Sequence, residues 1–293
     1  MFIERFIQYL QFEKRYSPHT VGAYKNDLLQ FFAYIQSQEW DFSSLEHAHL
    51  RSYLAELIED KREPKTINRK ISVLRSYYKF LLREKAVSSN PTLQIRAPKV
   101  PKRLPVIVEE NKLNLLLDSG DSFSADFPGL RDKLVIELLF GTGIRLAELI
   151  TLKDTDVDSY NRTIKVLGKR SKERIIPLNS SLYQLIKEYL EEKDKQNFEE
   201  KVPQLVVINN GKAAYPKFIY RVVQKYLSTI STQDKKSPHV LRHTFATTLL
   251  NNGADLNAIK ELLGHSSLAA TQVYTHNSVE RLKSIYKQAH PKA

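Results

Sequence analysis

The stretch "SPHVLRHTFATTLLNNG", residues 237–253, sets His239 and His243 four positions apart with Arg242 between them. Two histidines at that spacing share a helix face and can hold Zn²⁺, but a zinc hydrolase also needs a Glu beside the first His and a third ligand. Here the intervening residues are Val240, Leu241 and Arg242. A guanidinium next to His243 repels a divalent cation. On a helical wheel His239 and Arg242 lie about 300° apart and are therefore neighbours, and both donate hydrogen bonds to one acceptor. The pair suits an anion better than a metal, so neither metal nor cofactor is expected. His243 reads equally well as a structural histidine. Downstream, in "LLGHSSLAATQVYTH", Gly264 is placed to end a helix, His265 follows in the turn, Ser266 or Ser267 can cap the next helix, and Tyr274 closes it. A lone Tyr or His is ordinarily structural; these two are singled out by their company.

Such groups need a rigid frame and a polyanion to act on. The chain has 293 residues, 42% hydrophobic and 27% charged, with a formal charge of +12. That length supports one large domain or two smaller ones. The charge excess is spread: residues 1–98 hold 15 Lys/Arg against 11 Asp/Glu, and the rest 30 against 22. A single basic tail is thereby excluded, and nucleic acid becomes a partner that both halves can touch. No apolar run approaches the roughly 18 residues of a membrane span, and the charged N-terminus does not read as a signal peptide. With no cysteine, disulfide scaffolds and thiolate metal sites are excluded. A cytoplasmic, nucleoid-associated location is expected.

Four of the 12 prolines fall in "NPTLQIRAPKVPKRLP", where neither helix nor central strand survives. This predicts an extended basic linker over 91–105, dividing a helical domain (1–90) from a second domain (106–293). Before the linker, "FIERFIQYLQFE", "SPHTVGAYKNDLLQFFAYIQ", "LEHAHLRSYLAELIE" and "PKTINRKISVLRSYYKFLLREK" all carry helical periodicity. In the second, Ser17 is the expected N-cap and Pro18 the first helical residue. In the fourth, Ile67, Ile71, Leu74, Tyr78 and Leu81 form one stripe, with Lys65, Arg69, Lys79 and Arg83 roughly opposite and Arg75 at the margin. That cationic face has almost no acid on its own helix to pair with, so it is assigned to DNA phosphates. After the linker, "VEENKLNLLLDSG" and "GLRDKLVIELLFGTGIRLAELITL" read as helices, the latter interrupted at Gly141 and Gly143. "RTIKVLG" and "ERIIPL" form a predicted hairpin, "SLYQLIKEYLEEK" a helix, "QLVVIN" a strand and "YPKFIYRVVQKYL" a helix. Helices follow over 238–251, 256–263, about 267–274 and 278–288. "GTG" lacks the third Gly and the preceding strand of a dinucleotide site.

"HVLRHTFAT", then "LGHSS" and "YTH", resembles box II of the tyrosine recombinases; "GTGIRLAEL" resembles their box I, and "LGKRSKERIIPL" their β-hairpin lysine motif. The order and spacing agree along the whole catalytic region. The helical N-terminal part and the total length are similar to the Xer (XerC/XerD-like) subgroup of this phage-integrase family. The resemblance implies a mainly α fold with a small antiparallel β-sheet: a four-helix, SAM-like core-binding domain followed by a mixed α/β catalytic domain. It also implies that Arg145 and Arg242 clamp the phosphate, with His265 as a further donor. Lys169 is then the general acid, His239 the proton acceptor and Tyr274 the nucleophile. Lys172 matches a basic hairpin residue and is taken as a DNA contact. Glu148, one turn after Arg145, can orient a neighbour.

The reaction so implied is DNA cleavage and rejoining through a 3′-phosphotyrosine, without metal or ATP. A tyrosine with pKa near ~10 has roughly one phenolate per thousand at pH 7, so it needs cations to attack well. The implied assembly is a homo- or hetero-tetramer on two DNA duplexes with inverted half-sites. A paralogous recombinase and a DNA translocase are further partners; a membrane is not. The tail stripe Val279, Leu282, Ile285 and Ala289 docks on a neighbouring subunit or on its own domain. Chromosome-dimer resolution is the expected role, with integration or excision of a phage or mobile element as the alternative.

Overall fold

The computed structural model describes residues 2–101, 106–168, 173–233, 235–264, 286, 288 and 289. The chain divides into two compact units, Met1–Arg103 and Leu104–Ala293, and the architecture is mostly helical.

Unit 1 contains α1 (Ile3–Gln8), which runs on as a π-helical turn over Tyr9–Glu13, then α2 (Pro18–Ser37), α3 (His47–Glu59) and α4 (Pro64–Arg83). The Ser17 hydroxyl accepts the Thr20 N–H at 3.2 Å and Pro18 opens α2, so an orphan amide is satisfied and none is wasted. At α3 the Glu46 amide donates to His49 Nδ1 at 2.9 Å. The predicted stripe on α4 is buried to 2% exposure or less at Ile67, Ile71, Leu74, Tyr78 and Leu81, and it packs with Phe6, Leu28, Phe31 and Leu50.

The opposite face of α4 is less free than its own sequence suggests. Arg69 pairs with Asp27, Arg83 with Glu13 at 2.8 Å and Glu84 at 3.2 Å, and Arg75 donates to the Ile95 carbonyl at 2.7 Å. Two of the acids, Asp27 and Glu13, come from elements that precede α4, which a single-helix wheel cannot include. Lys65 and Lys79 are exposed and form no ion pair among the described residues. Next to the apolar stripe, Lys70 is buried against α2, its ammonium 3.1 Å from Asp27 and 2.6 Å from Gln30.

Unit 2 is built around α6 (Phe127–Thr142), which is apolar on nearly every side because α8 (Ser180–Lys195), α9 (Pro216–Ile230) and α10 (Pro238–Asn251) pack against it. The remaining helices are α5 (Glu110–Asp118), α7 (Leu146–Thr151) and α11 (Leu256–Leu263). Strands β1 (Val157–Asp158), β2 (Thr163–Leu167) and β3 (Glu173–Pro177) form an antiparallel sheet in that order, with Thr163 opposite Pro177 and Leu167 opposite Glu173. The hairpin was expected; β1 was not, being only two residues long.

Two expectations are corrected. Gly141 lies inside α6, and only Gly143, in the left-handed region at φ 61°, ends it. "QLVVIN" is not a strand: Leu205 donates to Leu152 and Val206 accepts from Ala214, so its backbone bonds go to two different segments and no ladder forms. Its β-branched, apolar composition reflects burial alone. Of the tail stripe the structure describes Ala289, which together with Tyr286 lies on its own domain, one of the two placements expected. Tyr286 and Ala289, each 2% exposed, pack into the core of their own unit. The Tyr286 hydroxyl donates to the Gly141 carbonyl at 2.6 Å and Asn252 donates to the Ala289 carbonyl at 2.7 Å. Val279, Leu282, Ile285 and the helix expected over 267–274 lie outside the described residues.

Removing the carboxylate from Asp27 leaves Lys70 buried without its counter-charge. Asp27→Ala should lower unfolding free energy by about 3 kcal/mol, read as a shift of the urea midpoint; an unchanged midpoint would contradict the buried pair.

Candidate active site

The left-handed turn at Gly143 leads through buried Ile144 to Arg145, the residue that caps α7. A Cβ at Gly143 would lie 2.3 Å from the Phe245 ring and 3.0 Å from Leu263, so both its φ and its surroundings require glycine. The same turn faces α10: Arg242, buried at 8%, donates through Nη1 to the Gly143 carbonyl and through Nη2 to the Leu263 carbonyl at 2.6 Å.

Arg145 donates three hydrogen bonds. Its backbone N–H and its Nη1 reach the two oxygens of Glu148 at 2.7 and 2.8 Å, and Nη2 reaches the Gly264 carbonyl at 3.1 Å. Arg174, on β3, donates to both Glu148 oxygens at 2.8 and 2.9 Å and, through Nε, to the Leu262 carbonyl at 2.8 Å. Leu262, Leu263 and Gly264 therefore each give a carbonyl to a different arginine. These are the last carbonyls of α11, which have no partner within the helix and carry the negative end of its dipole. Gly264 closes α11 in the left-handed region, at φ 62°, and a Cβ there would come within 3.0 Å of the Arg174 guanidinium.

The electrostatics are lopsided. Among the described residues, three guanidiniums gather around one carboxylate, Glu148, which pairs with Arg145 and Arg174. Burial pushes the Glu148 carboxyl up, but the hydrogen bonds and charges of Arg174 and Arg145 outweigh it and leave it below the usual carboxylate range. Burial first, then the charges of Arg145 and Arg174, lower Arg242 to about 10, with Glu148 opposing. Arg242 thus remains charged at neutral pH. His239, in the first turn of α10, keeps an exposed side chain. Partial loss of hydration, then the charges of His243, Arg242 and Arg145, hold it below the ordinary histidine value of 6.5. The arrangement is a fixed excess of positive charge beside a histidine biased toward neutrality, which is a site for an anion.

Of the six residues assigned to catalysis from sequence, the structure thus brings together Arg145, His239 and Arg242. Lys169, His265 and Tyr274, and Lys172, which was expected to contact DNA, lie outside the described residues. Arg174 was missed. Its signal was available in the strand alternation: Arg174 and Ile176 share the inward-facing register of β3 and both are buried. A charge in that register demands a partner.

Residues 107–281 match the family model described as "Phage integrase family", and residues 3–85 that described as "Phage integrase, N-terminal SAM-like domain". The chain belongs to the phage integrase family of tyrosine recombinases. This recombinase is 36% identical to "Tyrosine recombinase XerC" of Chlorobaculum parvum over 320 positions, covering 99% of this chain and 94% of the relative. It is also 36% identical to "Tyrosine recombinase XerD" of Staphylococcus haemolyticus, covering 99% of both. It is therefore a site-specific recombinase of the Xer subgroup. Among solved structures, XerH bound to a palindromic difH substrate shares the fold at a TM-score of 0.72 and 24% identity, over 90% of this chain and 78% of that one. XerA recombinase aligns over 100% and 99% at 26% identity, with a TM-score of 0.50.

Among the described residues, no helix is long and apolar enough to cross a membrane.

Gly143→Ala should cost at least about 2 kcal/mol of stability through strain and overpacking and should displace the carbonyl that anchors Arg242. Thermal melts together with a cleavage assay test this. Wild-type values in both would show that the turn does not need glycine.

Proposed function

We propose that this recombinase cleaves and rejoins double-stranded DNA at inverted half-sites through a 3′-phosphotyrosine, with no metal or ATP in the chemistry. The observation that carries the reading is the arginine cluster. Arg145 and Arg242 are held by backbone carbonyls, so their cost of ordering is met before substrate arrives. Their charge exceeds that of the single carboxylate among them. A phosphodiester that gains negative charge on attack is stabilised most by such prearranged donors.

In this reading Tyr274 attacks phosphorus and its phenolic proton passes to His239, which is suited to accept it because it is held neutral. Arg145, Arg242 and His265 neutralise the non-bridging oxygens. Lys169 protonates the departing 5′-oxygen. The new phosphotyrosine conserves the energy of the broken ester, and the 5′-hydroxyl of a second strand attacks it, releasing Tyr274 and restoring a phosphodiester. Two duplexes carry four cleavage positions, which calls for a tetramer of this chain or of this chain with a paralogue.

Residues 1–90 serve as the core-binding domain, 91–105 as the linker and 106–293 as the catalytic domain. Lys65 and Lys79, which form no ion pair among the described residues, serve as phosphate contacts, as does Lys172; Arg75 joins them by sharing its bond to the Ile95 carbonyl. Arg69 and Arg83 reach phosphate by exchanging or sharing their carboxylate partners. The biological role assigned is chromosome-dimer resolution, assisted by a translocase in the nucleoid. Full-length similarity to proteins named XerC and XerD supports this role over that of a mobile-element integrase. Fold likeness to the Tn1549 transposon integrase, at a TM-score of 0.70 and 20% identity, does not discriminate between them.

A nicked suicide duplex carrying a candidate site should yield a covalent protein–DNA band in EDTA that is absent with Tyr274→Phe. A band that persists in that variant, or that requires added metal, would overturn the reading. Arg242→Ala should slow cleavage by about 10²–10³-fold while half-site binding persists. The cleavage rate should fall as pH drops through the His239 pKa, below the ordinary histidine value, because protonated His239 cannot accept the phenolic proton. His239→Gln should flatten that limb, and an unchanged acid limb in His239→Gln would assign it to another group.

A further inference from the structure

Arg174 is 4% exposed, and each of its three side-chain nitrogens donates to protein: Nη1 and Nη2 to Glu148, Nε to the Leu262 carbonyl. It has no open edge for a substrate. Its influence runs through Glu148, whose two oxygens accept four hydrogen bonds, two from Arg174 and two from Arg145.

This division of the carboxylate matters for Arg145. A buried carboxylate with one guanidinium beside it draws that guanidinium into a two-pronged pair. Here Arg174 occupies the two-pronged position. Arg145 gives Glu148 only Nη1 from its side chain, spends Nη2 on the Gly264 carbonyl and has the more exposed side chain, at 24% against 5% for that of Arg174. Arg174 also packs against Gly264, where any Cβ would crowd its guanidinium. Arg174 therefore touches both the carboxylate that restrains Arg145 and, at Leu262 and Gly264, the helix end whose carbonyl receives it.

We propose that Arg174 is a positioning residue for strand cleavage: by neutralising Glu148 and bracing the end of α11, it keeps the Arg145 guanidinium partly engaged and open to phosphate. This rests on the reading of Arg145 as a phosphate clamp. It also gives β3 a second task. The strand that follows the Lys169–Lys172 segment carries, at Arg174, the brace for the arginines contributed by helical segments.

Single-turnover cleavage of the suicide duplex at saturating protein tests the proposal. Arg174→Ala should slow covalent-complex formation by about 100-fold, with the half-site Kd changed by less than about threefold. Adding Glu148→Gln should restore the rate at least about tenfold, because the neutral amide no longer captures Arg145. A purely structural arginine would give no such rescue, since the second substitution would only remove more bonds. A wild-type rate in Arg174→Ala, or a double variant no faster than the single one, overturns the proposal. Should Arg174→Ala fail to fold by circular dichroism, Arg174→Lys with and without Glu148→Gln makes the same comparison and is expected to show the same direction of rescue. Arg145→Ala is measured alongside. If it is inactive while Arg174→Ala is normal, only the positioning role falls. If Arg145→Ala cleaves normally, the clamp reading falls and takes the positioning role with it.

Discussion

The C-terminus of α11 is the point on which the described part of the site depends. Three successive carbonyls, at Leu262, Leu263 and Gly264, have no intrahelical partner, and each is met by an arginine from a different element: β3, α10 and the start of α7. The helix end thereby does for the cations what an N-terminus does for anions. Arginines crowded together repel one another, and this repulsion adds to burial, the larger cause, in holding Arg242 below the usual arginine value. The carbonyls and the one carboxylate hold them together without cancelling their charge. A site made only of carboxylate pairs would be as rigid but would have nothing left for phosphate.

The remaining features of unit 2 follow from the need to bring those elements to one point. α6 is buried on nearly every side and serves as the post against which α8, α9 and α10 pack. Its end is marked by a glycine whose φ and crowding against Phe245 admit no side chain. That turn releases Arg145 within reach of α11 and offers the Gly143 carbonyl to Arg242. The tail contributes to the same post: Tyr286 donates to the carbonyl of Gly141, two residues before the turn. Unit 1 uses a related device on a smaller scale, with Asp27 buried against Lys70 and Arg69 to lock α2 to α4.

The family architecture brings functional economy. Phosphoryl transfer in many nucleases uses two metal ions as the charge sink. In the reading proposed for this recombinase the sink is made of guanidiniums, which bind phosphate in a fork and stay protonated. In the same reading the retained ester energy makes strand exchange reversible, and the direction comes from the protein–DNA assembly.

The sequence by itself determined the helices that the structure describes, the hairpin, the division of charge over both halves and the residues whose types suit phosphate chemistry. Those properties live in local periodicity, in capping residues such as Ser17 and Gly264, and in the short spacing of His239 and Arg242. It did not determine which arginines are free. Arg69 and Arg83 looked unpaired on their own helix, and their carboxylates arrive from segments 42 and 70 residues away. Nor did it distinguish "QLVVIN", whose apolar run fits a strand, from a buried segment with scattered bonds, because a ladder needs a neighbour that only the fold supplies. Arg174 is the clearest case. Its partners, Glu148 and the Leu262 carbonyl, lie 26 and 88 residues away in opposite directions along the chain. Residue type is a local property, but the pairing of a buried charge is decided by whatever tertiary packing brings within hydrogen-bonding distance.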